Sequence, residues 1–164
     1  MKMKEVEVAM ITFDINAQMP IVFLREKEGS PRRLLPIWVG IAEAQAIHYK
    51  IQNQEFPRPM THDLLKNVIE QLGAKVTSVF IHSIQGTTFY GQINLAVNGT
   101  EIEIDSRPSD AIALALRAEA AIYVAEEVMK QSGLSEDDLK KIEKDHLKSA
   151  LEEMDEDTLG KFKV

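Results

Sequence analysis

Polar and apolar residues alternate strictly near the start of the chain, through Glu5-Val6-Glu7-Val8, before the run turns mostly apolar as far as Asp14. A second apolar run, Met19 to Leu24, follows an Asn-containing turn, and the two together predict an antiparallel hairpin. Glu28-Gly29-Ser30-Pro31 breaks the chain before Leu34 to Val39, a third strand that ends at Gly40. Ile41, Ala44, Ile47 and Ile51 then recur at helical spacing. The loop Phe56-Pro57-Arg58-Pro59 closes this helix, because the residue before each proline is driven toward extended backbone. Thr61 is placed to cap a second helix, with Asp63 in its first turn complementing the dipole. The stripe Leu64, Leu65, Val68, Ile69 and Leu72 makes this the cleanest amphipathic segment, and Gly73 stops it.

The second half repeats the order. Val76 to Ile84 alternates, Gly86 marks a turn, and Phe89 to Val97 leads into Asn98-Gly99, the dipeptide that suits a type I′ hairpin. Glu101 to Asp105 is the partner strand, Ser106 is placed to cap the next helix, and Pro108 fits its first turn. Residues 111–118 are almost all Ala, Ile and Leu, which predicts a helix buried on most sides. Sliding the chain by 67 residues lays Glu43-Ala44 on Asp110-Ala111, an acid followed by a small apolar face in both. The expected fold is therefore α+β, with internally duplicated β-β-β-α units forming a mostly antiparallel, barrel-like sheet with packed helices. The body runs over residues 1–133. Residues 134–164 form a charged amphipathic helix and tail, whose stripe of Leu139, Ile142, Leu147, Leu151 and Met154 is expected to dock on the body and whose last ten residues are expected to fray.

Composition narrows the function classes. There is no cysteine, so disulfides, thiolate metal sites and a thiol nucleophile are excluded. The N-terminus interleaves charge with apolar residues and lacks a signal-peptide core, and no run of about 18 apolar residues predicts a membrane span. A cytoplasmic protein is expected. The formal net charge of −7 weighs against a broad basic surface for nucleic acid. Ten acids and six lysines fall in residues 134–164, however, so a local basic site on the body is compatible with that total. Phosphate-loop, dinucleotide, zinc-protease and nucleophile-elbow motifs are all missing.

The richest segment for chemistry is Ile104-Asp105-Ser106-Arg107-Pro108-Ser109-Asp110, a strand end that delivers two carboxylates, a guanidinium and two hydroxyls to a helix N-terminus. Phosphodiester hydrolysis uses such a set, with backbone N–H groups for phosphate and oxygen ligands for a hard cation. Asp105, Asp110 and Glu43 are the candidate ligands for Mg²⁺ or Mn²⁺. Arg107 would stabilise developing charge and His62 would move a proton, with Arg58, Ser106 and Ser109 contacting substrate. The structural reading of the same residues is a clasp, with Ser106 capping, Asp110 and Glu43 complementing helix dipoles, and Arg107 locking the turn. His82 is in phase with Phe80 and Ile84 and is expected to be buried beside a hydrogen-bonding partner, whereas His48 faces solvent.

Four ordered blocks also carry a family resemblance. Leu35-Pro36-Ile37-Trp38-Val39-Gly40 with Glu43-Ala44, Phe56-Pro57-Arg58-Pro59 with Thr61-His62-Asp63-Leu64, Ile81-His82-Ser83 with Phe89-Tyr90, and Ile104 through Ala111 resemble the bifunctional nuclease domain family. The resemblance implies a β-rich α+β fold with internal duplication, a homodimer, and nuclease activity on RNA and DNA. It brings no residue roles of its own. The leading expectation is a metal-assisted nuclease acting on RNA or DNA, and its rival is a non-catalytic dimeric regulatory or protein-binding module.

Overall fold

The first hairpin closes because the Asp14 side chain takes over two turn amides. Its Oδ1 accepts from the N–H groups of Asn16 and Ala17, each at 3.0 Å, and the turn joins β1 (Met3–Asp14) to β2 (Met19–Glu26). In this computed structural model, which describes residues 1–157, β3 (Leu34–Trp38), α1 (Ile41–Ile51) and α2 (Thr61–Gln71) follow. The chain continues through β4 (Ala74–Gln85), β5 (Thr88–Val97), β6 (Thr100–Ser106), α3 (Pro108–Ala118), β7 (Ala121–Ala125), α4 (Glu126–Ser132) and α5 (Glu136–Asp157). Asn98 and Gly99 take φ of 49° and 77° in the β5–β6 turn, the positive pair that a type I′ turn needs.

All seven strands form one sheet in the order β3-β2-β1-β7-β4-β5-β6. Every pairing is antiparallel except β4 with β7. The strand-strand-strand-helix order occurs twice, as β1-β2-β3-α1 and as β4-β5-β6-α3. The sheet does not curl into the expected barrel-like form: it is open, with β3 and β6 as its edges. Closure would require those edges to pair, and instead β7 separates the two triplets in the middle. β7 is not anticipated by the sequence pattern. Ala120-Ala121 continues an alanine-rich helix in propensity, and α3 stops only because Glu119 adopts a left-handed conformation with φ of 52°.

Helices α1, α2 and α3 cover one face of the sheet, with α3 packed against both of the others. Residues 111–115 are wholly buried, as the unbroken apolar run implies, and meet Val79, Ile81, Leu24 and Val124 in one continuous core. Two expected caps shift by a residue. Met60 is the N-cap of α2 and donates its N–H to Asp63 Oδ2 at 3.0 Å, so Thr61 is the first helical residue rather than the cap. Arg107 is the N-cap of α3, while Ser106 closes β6 and donates its hydroxyl to the Arg107 carbonyl at 2.9 Å. The α2 stripe departs further from expectation. Leu64, Val68 and Leu72 are 53%, 45% and 77% exposed, and only Ile69 packs against the core.

Polar groups fix the helices where apolar contact does not. Arg117, on α3, is 9% exposed and donates to three acceptors: Asp63 Oδ1 on α2 at 2.7 Å, the Ala46 carbonyl on α1 at 2.9 Å and the Ala113 carbonyl at 2.8 Å. One buried guanidinium thus ties three helices. At the far side of the sheet, buried Glu26 accepts the Arg33 backbone N–H at 2.8 Å and its Nη2 at 2.6 Å, and Arg33 reaches Glu126 at 3.0 Å. Leu134 exchanges backbone bonds with Leu34 at 2.7 Å, after which α5 lays Leu139 and Ile142 along a groove of about 540 Å³ on the uncovered face of the sheet. Leu147 is exposed. The expectation of fraying falls on residues 155–164, of which 155–157 continue α5 and 158–164 lie outside the described residues.

Removing Arg117 strands two carbonyls and the Asp63 carboxylate. Arg117→Met should cost about 3 kcal/mol and Asp63→Asn about 2 kcal/mol in urea unfolding. Burial alone would raise the Asp63 carboxyl, but the Met60 N–H and the Arg117 guanidinium outweigh it and hold the group below the usual carboxylate range. A depressed folded value adds stability that is complete above the unfolded value and is lost as pH falls through the folded one. Asp63→Asn should therefore flatten the loss of stability below about pH 4, read by circular dichroism. Equal acid slopes for mutant and wild type would contradict this account.

Candidate functional site

The first turns of α1, α2 and α3 each deliver one ionisable side chain to a shared junction, and Arg117, in the last turn of α3, ties the same three helices together. Glu43 lies in the first turn of α1, His62 in that of α2 and Asp110 in that of α3. Arg107, the residue before α3, links them. Its Nη2 donates to Glu43 Oε1 at 2.7 Å, and its Nε donates to Asp110 Oδ2 at 2.9 Å. The other Asp110 oxygen lies 2.9 Å from His62 Nε2. A carboxylate can only accept, so this contact fixes the ring proton on Nε2 and leaves Nδ1 as the basic nitrogen.

The result is one continuous chain, Glu43–Arg107–Asp110–His62, joining positions far apart in sequence. Its exposure is graded. Arg107 is 64% exposed in its side chain, Asp110 29%, Glu43 17% and His62 10%, so the guanidinium faces solvent while the imidazole is held beneath. Hydrogen bonds from Arg107 and from its own backbone N–H hold the Glu43 carboxyl below the usual range. The two carboxylates in turn push the Arg107 guanidinium up. With His62 neutral the cluster carries a net charge of one negative, the balance of two carboxylates and one guanidinium.

The other expected site residues lie around or away from this chain. Asp105 pairs across β6 with Gln92, whereas its neighbour Ile104 pairs with the core residue Ile93. Strand alternation therefore turns Asp105 to the face of the sheet away from α3, apart from Glu43 and Asp110. Among the described residues, no three His, Asp or Glu side chains gather in a way that could hold a metal ion. Ser109 is buried in the first turn of α3, Ser106 is half-buried, and Arg58 is exposed in the loop before α2. His82 is half-buried with Nδ1 3.0 Å from Ser83 Oγ, while a bulge between Ile81 and Ser83 breaks the phase that would have sunk it. His48 is exposed as expected.

Two glycines hold the site in a role that the sequence reading does not give them. Gly40 is the N-cap of α1, and a Cβ there would collide with Oε2 of Glu43. The missing side chain is what lets Glu43 fold back against the start of its own helix. Position 107 is the N-cap of α3, and there the chain places the arginine that reaches Glu43. Gly91 is the second. A Cβ on it would stand 3.0 Å from the Ser106 carbonyl and 3.3 Å from Pro108, so its absence lets β5 approach the turn that carries Arg107. The signal for Gly40 was present as a glycine three residues ahead of an acid at a helix start.

Comparison with known proteins agrees with the four blocks of residues noted above. A family model described as the bifunctional nuclease domain matches residues 22–137. An uncharacterized protein of Mycobacterium tuberculosis is 42% identical over 132 residues, which is 80% of this chain and 77% of that protein. Bifunctional nuclease 1 of Oryza sativa subsp. indica is 31% identical over 116 residues, 69% of this chain and 35% of its own length. Bifunctional nuclease 2 of Oryza sativa subsp. japonica is 30% identical over 122 residues, 73% and 37% respectively. The chain thus spans little more than a third of the plant proteins it matches. The match takes in Glu43, His62, Arg107 and Asp110 and most of the described body, and the protein belongs to the bifunctional nuclease domain family.

Proposed function

We propose that this protein is a nuclease that hydrolyses phosphodiester bonds of RNA or DNA at the junction of the three helix N-termini. The observation that carries the reading is the chain Glu43–Arg107–Asp110–His62, in which a solvent-facing guanidinium is held between two carboxylates, one of them bonded to an imidazole. Arg107 is placed to stabilise the charge that builds on the phosphorus oxygens. Asp110 orients His62 with Nδ1 free to take a proton from the attacking water, which adds to phosphorus as the P–O bond to the leaving oxygen breaks. The plant relatives that carry the nuclease name support the substrate class.

The cluster is one charge negative, so a phosphodiester needs further positive charge to approach it. A Mg²⁺ or Mn²⁺ ion suits this need, since such ions bind through one or two carboxylates, water and substrate phosphate. Glu43 and Asp110 would hold it, and its chemistry would be charge neutralisation. Arg58, Ser106 and Ser109 are assigned to substrate contact as part of the same proposal. Glu43 and Asp110, at matching places in the two strand-strand-strand-helix runs, support reading those runs as related units. Among the described residues no helix is long and apolar enough to cross a membrane, and a cytoplasmic homodimer belongs to the proposal. The rival, a non-catalytic regulatory module, draws on the mutual pairing of all four side chains and on the net charge of −7.

Cleavage of a labelled oligonucleotide by purified protein with Mn²⁺ tests the reading. Arg107→Ala and Asp110→Asn should each lower the rate by about 10²- to 10³-fold. Full activity in both removes these roles, and background cleavage by the wild type with either metal favours the regulatory module. Gly40→Ala should displace only the tip of the Glu43 side chain, so it should leave the melting temperature nearly unchanged while lowering the rate as far as Glu43→Ala does. Adding Gly40→Ala to Glu43→Ala should then have no further effect.

A further inference from the structure

The two borders of the sheet are finished differently. β3 carries Pro36, which has no N–H to offer, and its first residue is taken up by Leu134, whose N–H and carbonyl each bond Leu34 at 2.7 Å. β6 has neither device. It contains no proline, its register with β5 runs without a bulge from Val97↔Thr100 to Gly91↔Ser106, and every residue from Thr100 to Asp105 is exposed. Among the described residues no backbone group bonds its outer side. The type I′ turn makes Val97 and Thr100 a hydrogen-bonded pair, so the pairs alternate from there and the N–H and carbonyl groups of Glu101, Glu103 and Asp105 point away from β5. The edge is thus a regular, accessible ladder of main-chain donors and acceptors.

The side chains along this ladder fall into two rows. Ile102 and Ile104 pair with the core residues Leu95 and Ile93, so they continue the helix-bearing face of the sheet, yet they are 43% and 42% exposed. Glu101, Glu103 and Asp105 alternate with them on the opposite face. A neighbouring strand would set one row of its own side chains against the isoleucines and the other against the carboxylates. Charge then selects the neighbour. A second β6 in antiparallel pairing puts acid beside acid, and nucleic acid brings phosphate to the same row. A strand that alternates lysine or arginine with apolar residues satisfies both rows, while its main chain satisfies the ladder.

We propose that the outer edge of β6 is a docking site for an extended segment of a partner protein in which basic and apolar residues alternate, added to the sheet antiparallel to β6. Main-chain bonds to Glu101, Glu103 and Asp105 supply the affinity. The apolar row of the segment covers Ile102 and Ile104, and the carboxylates decide which sequence is accepted, since they repel acidic strands as well as attract basic ones. The residues opposite Glu101, Glu103 and Asp105 are the basic ones, and their own N–H and carbonyl groups face β6. β6 leads directly into Arg107, so the docked segment lies beside the turn that opens α3. The inference does not depend on the junction being catalytic.

Fluorescence anisotropy at low salt with a labelled Lys-Val-Lys-Val-Lys peptide flanked by threonines tests the proposal. This peptide should bind the wild-type chain, and one of the same composition with its lysines in a single block should bind about tenfold more weakly. Glu103→Gln keeps the outward N–H and should weaken binding about threefold. Glu103→Pro removes that N–H without touching the β5 ladder and should abolish binding. Amide exchange followed by NMR gives a reading that charge attraction alone would not move. The peptide should slow exchange at Glu101, Glu103 and Asp105 and leave Ile102 and Ile104 unchanged, because their amides already bond β5. Absence of binding, equal affinity for the two peptides, or binding without that alternate protection overturns the proposal. So does binding that appears only after Lys161→Glu with Lys163→Glu, which assigns the edge to the chain's own Lys161-Phe162-Lys163-Val164 segment, where the same pattern occurs. If circular dichroism shows Glu103→Pro unfolded, a peptide N-methylated at its lysines takes its place, and undiminished binding by that peptide refutes main-chain docking.

Discussion

A single guanidinium sets the geometry on which the candidate chemistry rests. Arg117 is buried at the end of α3 and spends its donors on a carbonyl of α1, a carboxylate of α2 and a carbonyl of its own helix. Such a group cannot lose a partner without leaving charge or dipole uncompensated in a dry environment. The three helices are therefore held in one arrangement rather than a range of them. In the same helix group Glu43, Asp110 and His62 stand in a line rather than at one point, with Arg107 bridging the two carboxylates and Asp110 bonded to His62.

The second arginine is used differently. Arg107 is mostly in solvent, so its ion pairs contribute little to stability by themselves. Their value lies in position. The guanidinium holds Glu43 ionised and fixes one Asp110 oxygen, which leaves the other to orient His62. Gly40 is part of the same device: it makes room for a carboxylate to lie against the start of α1 where any other residue would place a methyl group. Structural clasp and reactive cluster are in this sense the same set of contacts, differing only in whether a substrate meets the exposed guanidinium.

Local patterns carried much of this into view. Alternation and turn residues locate the six strands of the two triplets, and the apolar run of residues 111–115 gives the buried helix. Glu43, His62, Arg107 and Asp110 are visible as candidates because each stands at a helix start. Asp105 looks equivalent in one dimension and is not, since the alternation of a strand puts it on the opposite face from its neighbour. What sequence could not reveal depended on distant parts of the chain. The α2 stripe reads as a core face because periodicity reports that a surface is apolar, not which surface meets it. Arg117, which follows the apolar run of α3, is legible afterwards as a buried cation, but its partners on the other two helices lie 54 and 71 positions away.

The short strand β7 has a consequence for how the molecule is made. It binds β1 on one side and β4 on the other and is the last of the seven described strands in sequence, so β1, the earliest of them, finds its inner neighbour only in the latest. Until Ala121–Ala125 emerge, each triplet carries an inner border with unsatisfied amides. Pairings of such high contact order close slowly, and the interval before closure is when nascent chains associate wrongly. Completion of the sheet is thereby deferred until its last strand has emerged, and a chain cut short before residue 121 is left as two half-sheets with no strand to join them.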